Sequence, residues 1–192
     1  MRHPRKIFTT VVACVAAVLT VGCSESERSL TVVFSNNMVG EIRSCGCAAR
    51  DFGGLGRRAT FLNLERLETD DFLLLEGGDF FGTDLNYGEE KAGLTLQSMS
   101  FMGYDGMVLG EKDLTFGLDY IVEKYKSLRL PIVIANVYYE DSGDRVFPAS
   151  RIVKLSNGLR IGLVGVMGDR LKLQQDADRI RIDPPSEAAL AE

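Results

Sequence analysis

Apolar residues along the chain gather into short runs separated by polar, glycine-rich loops. The run from Leu30 to Ser35 (LTVVFS) ends in the polar Ser-Asn-Asn and predicts a buried strand that delivers a loop. From Leu55 to Leu67, the residues Leu55, Ala59, Phe61, Leu62 and Leu67 fall roughly at helical spacing, with arginine and glutamate on the other side. DFLLLEGGD then predicts a strand over Phe72 to Glu76 and a Gly-Gly-Asp turn. A helix over about Lys91 to Met102 follows, then a strand and loop in Asp105 to Gly110. Leu118 to Lys126 reads as helix and Pro131 to Val137 as strand. In ASRIVKLSNGLRIGLVGVMG, two strands flank Ser156-Asn157-Gly158, and Asn-Gly is the hairpin turn signal. Phe80, Phe81, Phe101 and Phe116 are expected in the core.

Strand and helix in alternation predict an α/β fold with helices covering a largely parallel sheet. In such sheets the loops leaving the carboxyl ends of the strands build the site. Here those loops are SNNMVG, EGGDFFG, GEKDLTFG and ANV.

The first residues read as an address. Arg2, Arg5 and Lys6 precede an apolar stretch from Ile7 to Val21, of signal-peptide rather than membrane-span length. LTVGC, Leu19 to Cys23, resembles a bacterial lipobox. That implies a signal peptide over 1–22, a lipidated Cys23 and a polar tether over 23–29, and so a chain attached to a membrane through its lipid. Ser24 at the following position favours the outer membrane by resemblance to enterobacterial sorting. Removing 1–22 takes away three positive charges and shifts the formal net charge from −5 to −8. Such an acidic chain is a poor partner for nucleic acid. The only histidine, His3, leaves with the signal, as does Cys14, so Cys45 and Cys47 remain as the two thiols in an oxidising compartment.

The four loops, in order, resemble the N-terminal domain of calcineurin-like metallophosphoesterases, in their periplasmic 5′-nucleotidase branch. The resemblance rests on Gly53, Gly54 and Arg57 before the first helix, Gly78 and Asp79 after the second strand, and Ala135 and Asn136 after a later one. It implies a layered α/β/β/α sandwich with largely parallel or mixed sheets over 30–192, and a domain incomplete at its C-terminus, before a Gly-His-x-His segment. It also implies a divalent metal such as Mn²⁺, Zn²⁺ or Mg²⁺, bound near Asp79, Asn136, Asn37 and Asp113, if the phosphoesterase site works. The ligand motifs depart from the family's, however. Asn37-Met38-Val39-Gly40 stands for Asp-x-His-Gly, and Gly110-Glu111-Lys112-Asp113 for Gly-Asn-His-Glu. An amide at Asn37 is a poor replacement for a carboxylate, Val39 cannot ligate, and Lys112 brings a positive charge that competes with a cation.

Cys45-Gly46-Cys47 lies in the loop leaving the first strand, and relatives with the same motif, some with selenocysteine, imply redox use of the pair. A bridge across one intervening residue is strained and readily reduced. Arg43, Arg50, Arg57 and Arg58 favour thiolate, while Glu41 and Asp51 oppose it. Four readings stay open: thiol redox chemistry, a metal held by two thiolates, a disulfide that pins the loop, and incidental residues. The preferred expectation is a lipid-anchored envelope protein with a degenerate metal site and a thiol-redox or binding role at Cys45 and Cys47, with a redox partner or a small phosphorylated ligand. The alternatives are an active metal-dependent phosphoesterase and a non-catalytic binding lipoprotein.

Overall fold

The computed structural model describes residues 29–48, 51–69, 71–83, 88–173 and 176–192. The proposed signal peptide, Cys23 and Arg50 lie outside the described residues. Strands β1 (Thr31–Ser35), β2 (Phe72–Glu76) and β3 (Gly106–Met107) form a parallel sheet in the order β1-β2-β3. Helix α1 (Leu55–Glu68) links the first two strands and α2 (Glu89–Met102) the next two. Helix α3 (Leu118–Leu128) follows a short 3₁₀ turn, Glu111–Leu114. Strand β4 (Val137–Tyr139) pairs antiparallel with β7 (Ile180–Ile182), β5 (Ser150–Lys154) pairs antiparallel with β6 (Arg160–Val164), and α4 spans Pro185–Ala191. The fold is mixed α/β, as the alternation predicts.

The parallel pairing follows from composition. Phe-Leu-Leu-Leu in β2 is buried on both faces, as a central parallel strand must be. Phe72 and Leu74 face Leu62 of α1, Leu96 and Met99 of α2, and Ile121 of α3, forming one core with Phe80 and Phe81. Opposite them, Val32 and Phe34 of β1 are exposed, Phe34 by 71%. A cavity of about 260 Å³ opens on that side, bordered by Phe34, Leu75, Val133 and Leu163. Among the described residues, one helical layer therefore covers one face of the sheet.

Several sequence expectations need correction. Pro131 to Val137 is not one strand. Met107 N–H donates to Pro131 C=O, its C=O accepts from Val133 N–H, and Ala135 N–H then turns to Gly165 C=O, so among the described residues only a single bridge at Ile132 extends the sheet before β4 begins. Phe101 is 93% exposed, because it stands two residues, about 200° of helix, from the buried Met99. Phe61 and Leu67 also point outward from α1, while Leu55 and Leu62 are buried and Ala59 packs against the core.

Candidate functional site

Three loops meet at the carboxyl ends of β1, β2 and β3. Backbone N–H groups of Asn37, Val39 and Gly40 donate to the carbonyls of Gly78, Asp79 and Phe80 at 2.8–3.0 Å, pairing the first loop with the second. This pairing needs left-handed backbone at Asn37 (φ 51), Val39 (φ 51) and Asp79 (φ 58). For the β-branched Val39 that is a strained conformation, of the kind that clusters at functional sites. Gly78 (φ 93) lets the third loop approach, since a Cβ there would meet Gly110 N at 2.6 Å.

Asp113 is the hub of this junction. Its carboxylate is fully buried and accepts backbone N–H bonds from Asp79 (2.7 Å), Phe80 (2.8 Å), Phe81 (3.0 Å) and Gly110 (2.8 Å). Burial pushes its pKa up to about 7, the Gly110, Phe81 and Asp79 amides pull it down, and the nearby Asp79 charge adds to the rise. Its oxygens are thus turned into the protein, holding the second loop in shape. Asn136 is equally committed. Its Oδ1 accepts from Met167 N–H at 2.8 Å, and its Nδ2 donates to the carbonyls of Met167 (2.7 Å) and Asp183 (2.8 Å).

Asn37 and Asp79 do come together, through Lys112. The Lys112 ammonium lies 3.0 Å from Asp79 Oδ2 and 3.4 Å from Asn37 Oδ1, and the Lys112 backbone N–H donates to Asp79 Oδ1 at 3.2 Å. A divalent cation needs several oxygen or nitrogen donors converging at about 2.0–2.6 Å. Among the described residues, no group of three His, Cys, Asp or Glu side chains converges in this way. Asn37 and Asp79 offer one amide oxygen and one carboxylate already engaged by an ammonium. The residues present do not fit a metal pair.

The cysteines occupy a separate hairpin. Ser44 and Gly53 form an antiparallel bridge, Cys45 N–H donates to Phe52 C=O at 2.8 Å, and Leu55 N–H closes the base on Ile42 C=O at 3.1 Å. Gly54 (φ 86) is required at this base, since a Cβ would meet Ser44 N at 2.8 Å. At the tip, Gly46 N–H donates to Asp51 Oδ1 at 2.8 Å, and Arg57 holds Oδ2 at 2.7 Å. Cys45 and Cys47 are both exposed and not bridged. Cys47 N–H donates to Cys45 Sγ at 3.3 Å. The Cys47 thiol, then the Phe52 and Cys47 backbone, lower the Cys45 pKa, whereas donating its S–H to Cys45 holds the proton on Cys47 and raises its pKa. The arginines contribute differently from the expectation: Arg57 pairs with Asp51, and Arg58 points into the core.

That inward-pointing arginine reveals a group that motif reading missed. Arg58 donates to Ser35 Oγ (3.2 Å) and Tyr104 Oη (2.9 Å), and Ser35 donates to Glu76 Oε2 at 2.6 Å. The signal was available in parity: Glu76 shares the face of Phe72 and Leu74 in β2.

Comparison with known proteins bears on the fold. No family model matches the chain. A 5′-nucleotidase from Vibrio vulnificus is 26% identical over 171 residues, covering 83% of this chain and 29% of the relative. Among solved structures, the 5′-nucleotidase precursor from Thermus thermophilus superposes with a TM-score of 0.73 at 21% identity, covering 83% of this chain and 33% of that one. The calcineurin-like phosphoesterase YfkN from Bacillus subtilis gives 0.66 at 20% identity, covering 83% and 55%. The fold is that of the calcineurin-like phosphoesterases. This 5′-nucleotidase-like chain spans under a third of the length of the curated relatives it matches, 29% in the Vibrio vulnificus case. Within the calcineurin-like fold, the Asn37–Asp79–Lys112 cluster sits at the strand ends where α/β sheets place their sites.

Proposed function

We propose that this chain is a lipid-anchored envelope protein, attached through Cys23, that exchanges thiols with disulfides at Cys45-Gly46-Cys47 on a calcineurin-like phosphoesterase fold. The hydrogen bond from Cys47 N–H to Cys45 Sγ, on an exposed hairpin tip, carries this reading. It marks Cys45 as the sulfur that accepts hydrogen bonds and therefore bears charge most readily, with Cys47 as the protonated neighbour. In the exchange, Cys45 thiolate attacks one sulfur of a partner disulfide, forming a mixed disulfide and expelling one thiolate. Cys47, losing its proton to solvent, then attacks Cys45 Sγ and releases the second thiolate. Two electrons pass to the partner, which leaves as a dithiol, and the chain retains a Cys45–Cys47 disulfide; the reverse sequence reduces the chain.

The test is equilibration of the reduced chain with glutathione and glutathione disulfide at graded ratios, read by mass spectrometry. The pair is expected to oxidise reversibly within the range of known exchange proteins, and Cys47→Ser to accumulate a mixed disulfide on Cys45. A pair that stays reduced at every ratio, or a bridge that resists dithiothreitol, removes the proposal.

A second reading is supported by the 26% identity to a 5′-nucleotidase across 83% of this chain, together with the presence of Asp79 in the second loop. It is hydrolysis of a nucleotide or other phosphate ester. Release of phosphate from such esters with added Mn²⁺ or Zn²⁺, lost in Asp79→Ala, would establish it. The Lys112 ammonium on Asp79 Oδ2 argues against this second reading.

A further inference from the structure

We infer that the Lys112 ammonium is the resident cation of the Asn37–Asp79 oxygen pair, a covalently tethered charge standing where the family resemblance implies a metal. The inference is independent of the thiol reading, since it concerns other side chains, Asn37, Asp79 and Lys112. Two elements converge to present these oxygens: Asn37 follows β1 and Asp79 follows β2, both in left-handed backbone. Lys112 enters from the 3₁₀ turn after β3 and meets both, at 3.4 Å and 3.0 Å. One residue engages both oxygens of Asp79, its backbone N–H bonding Oδ1 while its ammonium bonds Oδ2.

The charge balance supports this assignment. One ammonium against one carboxylate is neutral, and the Asn37 oxygen adds a dipole without further charge. A divalent ion entering the same oxygen pair would face the ammonium at only a few ångströms, where the positive charges repel, twice as strongly as two unit charges and more so at a partly covered site than in water. The pair is about a quarter exposed on each side, 26% for Lys112 and 27% for Asp79. Here the left-handed residues aim the oxygens, and Asp113 locks the loop that carries one of them through Asp79 N–H.

The consequence is a site whose Asp79 carboxylate is already neutralised by a cation of the chain itself. Two measurements test this on the full chain. The first is titration of the wild-type protein with Mn²⁺ and with Zn²⁺, followed by calorimetry and by Mn²⁺ electron spin resonance, with the cysteines alkylated to remove thiolate binding. No saturable binding is expected. Saturable binding that disappears in Asp79→Ala overturns the inference.

The second is acylation of lysines by a water-soluble amine-reactive ester, read residue by residue by mass spectrometry. Breaking the ion pair with Asp79→Asn is expected to raise the Lys112 labelling rate about threefold, as loss of an exposed pair would, while Lys124 and Lys126 stay unchanged. A Lys112 rate indifferent to Asp79→Asn overturns the inference. Should that variant fail to fold, Asn37→Leu removes the other oxygen, and a rise at Lys112 of the same sign is expected; an unchanged rate there also overturns it. Failure of glutathione exchange would leave all of these outcomes untouched, so the two proposals fall separately.

Discussion

Arg58 of α1 reaches Glu76 at the end of β2, its Nη1 3.6 Å from Oε2. The Glu76 side chain is fully buried, and its Oε1 has no hydrogen-bond partner among the described residues. Burial raises the Glu76 pKa from 4.5 to about 6, opposed by Ser35 and then by Arg58. A folded-state pKa above the unfolded value means that stability is fullest below about 4.5 and is lost as pH rises through about 6. Thermal unfolding of wild type and Glu76→Gln between pH 4 and 8 should therefore diverge. The variant lacks this component, worth about 2 kcal/mol, and its stability falls less with rising pH. Asp113 contributes a loss of the same sign up to about pH 7 in both proteins, so the difference between the two curves isolates Glu76.

Removing the arginine acts in the opposite direction from removing the charge. Arg58→Met leaves the buried carboxylate without its cation and should cost about 3 kcal/mol at neutral pH by urea denaturation. Combining it with Glu76→Gln should recover most of that loss, because no buried charge then remains unpaired.

Four backbone N–H groups converge on Asp113. Asp113→Ala strands all four, and a loss of at least about 3 kcal/mol is expected. Asp113→Asn keeps the shape but turns an NH₂ toward donors, so it should rescue only part of the loss. Denaturant midpoints distinguish the two variants.

The hydrogen-bond asymmetry at the hairpin tip predicts unequal thiols. Iodoacetamide at neutral pH should modify Cys45 roughly three- to tenfold faster than Cys47 in the reduced chain. Cys47→Ala removes the thiol donor and should slow Cys45, with its pH–rate midpoint moving up. Peptide mapping over time provides both rates.

Gly54→Ala puts a Cβ against Ser44 N at a residue with φ 86. The strain should cost about 1–2 kcal/mol, relieved by opening the hairpin base. The Cys45 rate advantage should then fall toward that of Cys47, a readout that a change in global stability alone would not move.

Much of the framework was readable in order and parity. The boundaries of β2, α1 and α3 fall within about two residues of the pattern, because Phe-Leu-Leu-Leu and the amphipathic runs are local signals. Pro131 to Val137 misled because a run of apolar residues cannot reveal which backbone groups pair with a neighbour and which turn away. Asn37, Asp79 and Lys112 could be named from the loops. Their contact depends on three left-handed residues, none of them a glycine. The orientation of Asp113 was likewise illegible: a carboxylate in a polar loop looks the same whether it faces solvent or four amides. Asn136 and Glu76 were more accessible, since each keeps step with apolar neighbours, Ile132 and Ile134 in one case and Phe72 and Leu74 in the other.

The clamp between Ile42 and Leu55 has a bearing on detection. Whatever happens to the two sulfurs is confined by that closure to a stretch of about a dozen residues whose described members belong to neither a strand of the sheet nor a helix. Far-ultraviolet circular dichroism and tyrosine emission would remain silent through a full cycle of oxidation and reduction. Amide resonances of Gly46, Phe52 and Gly53 are the reporters placed to register it.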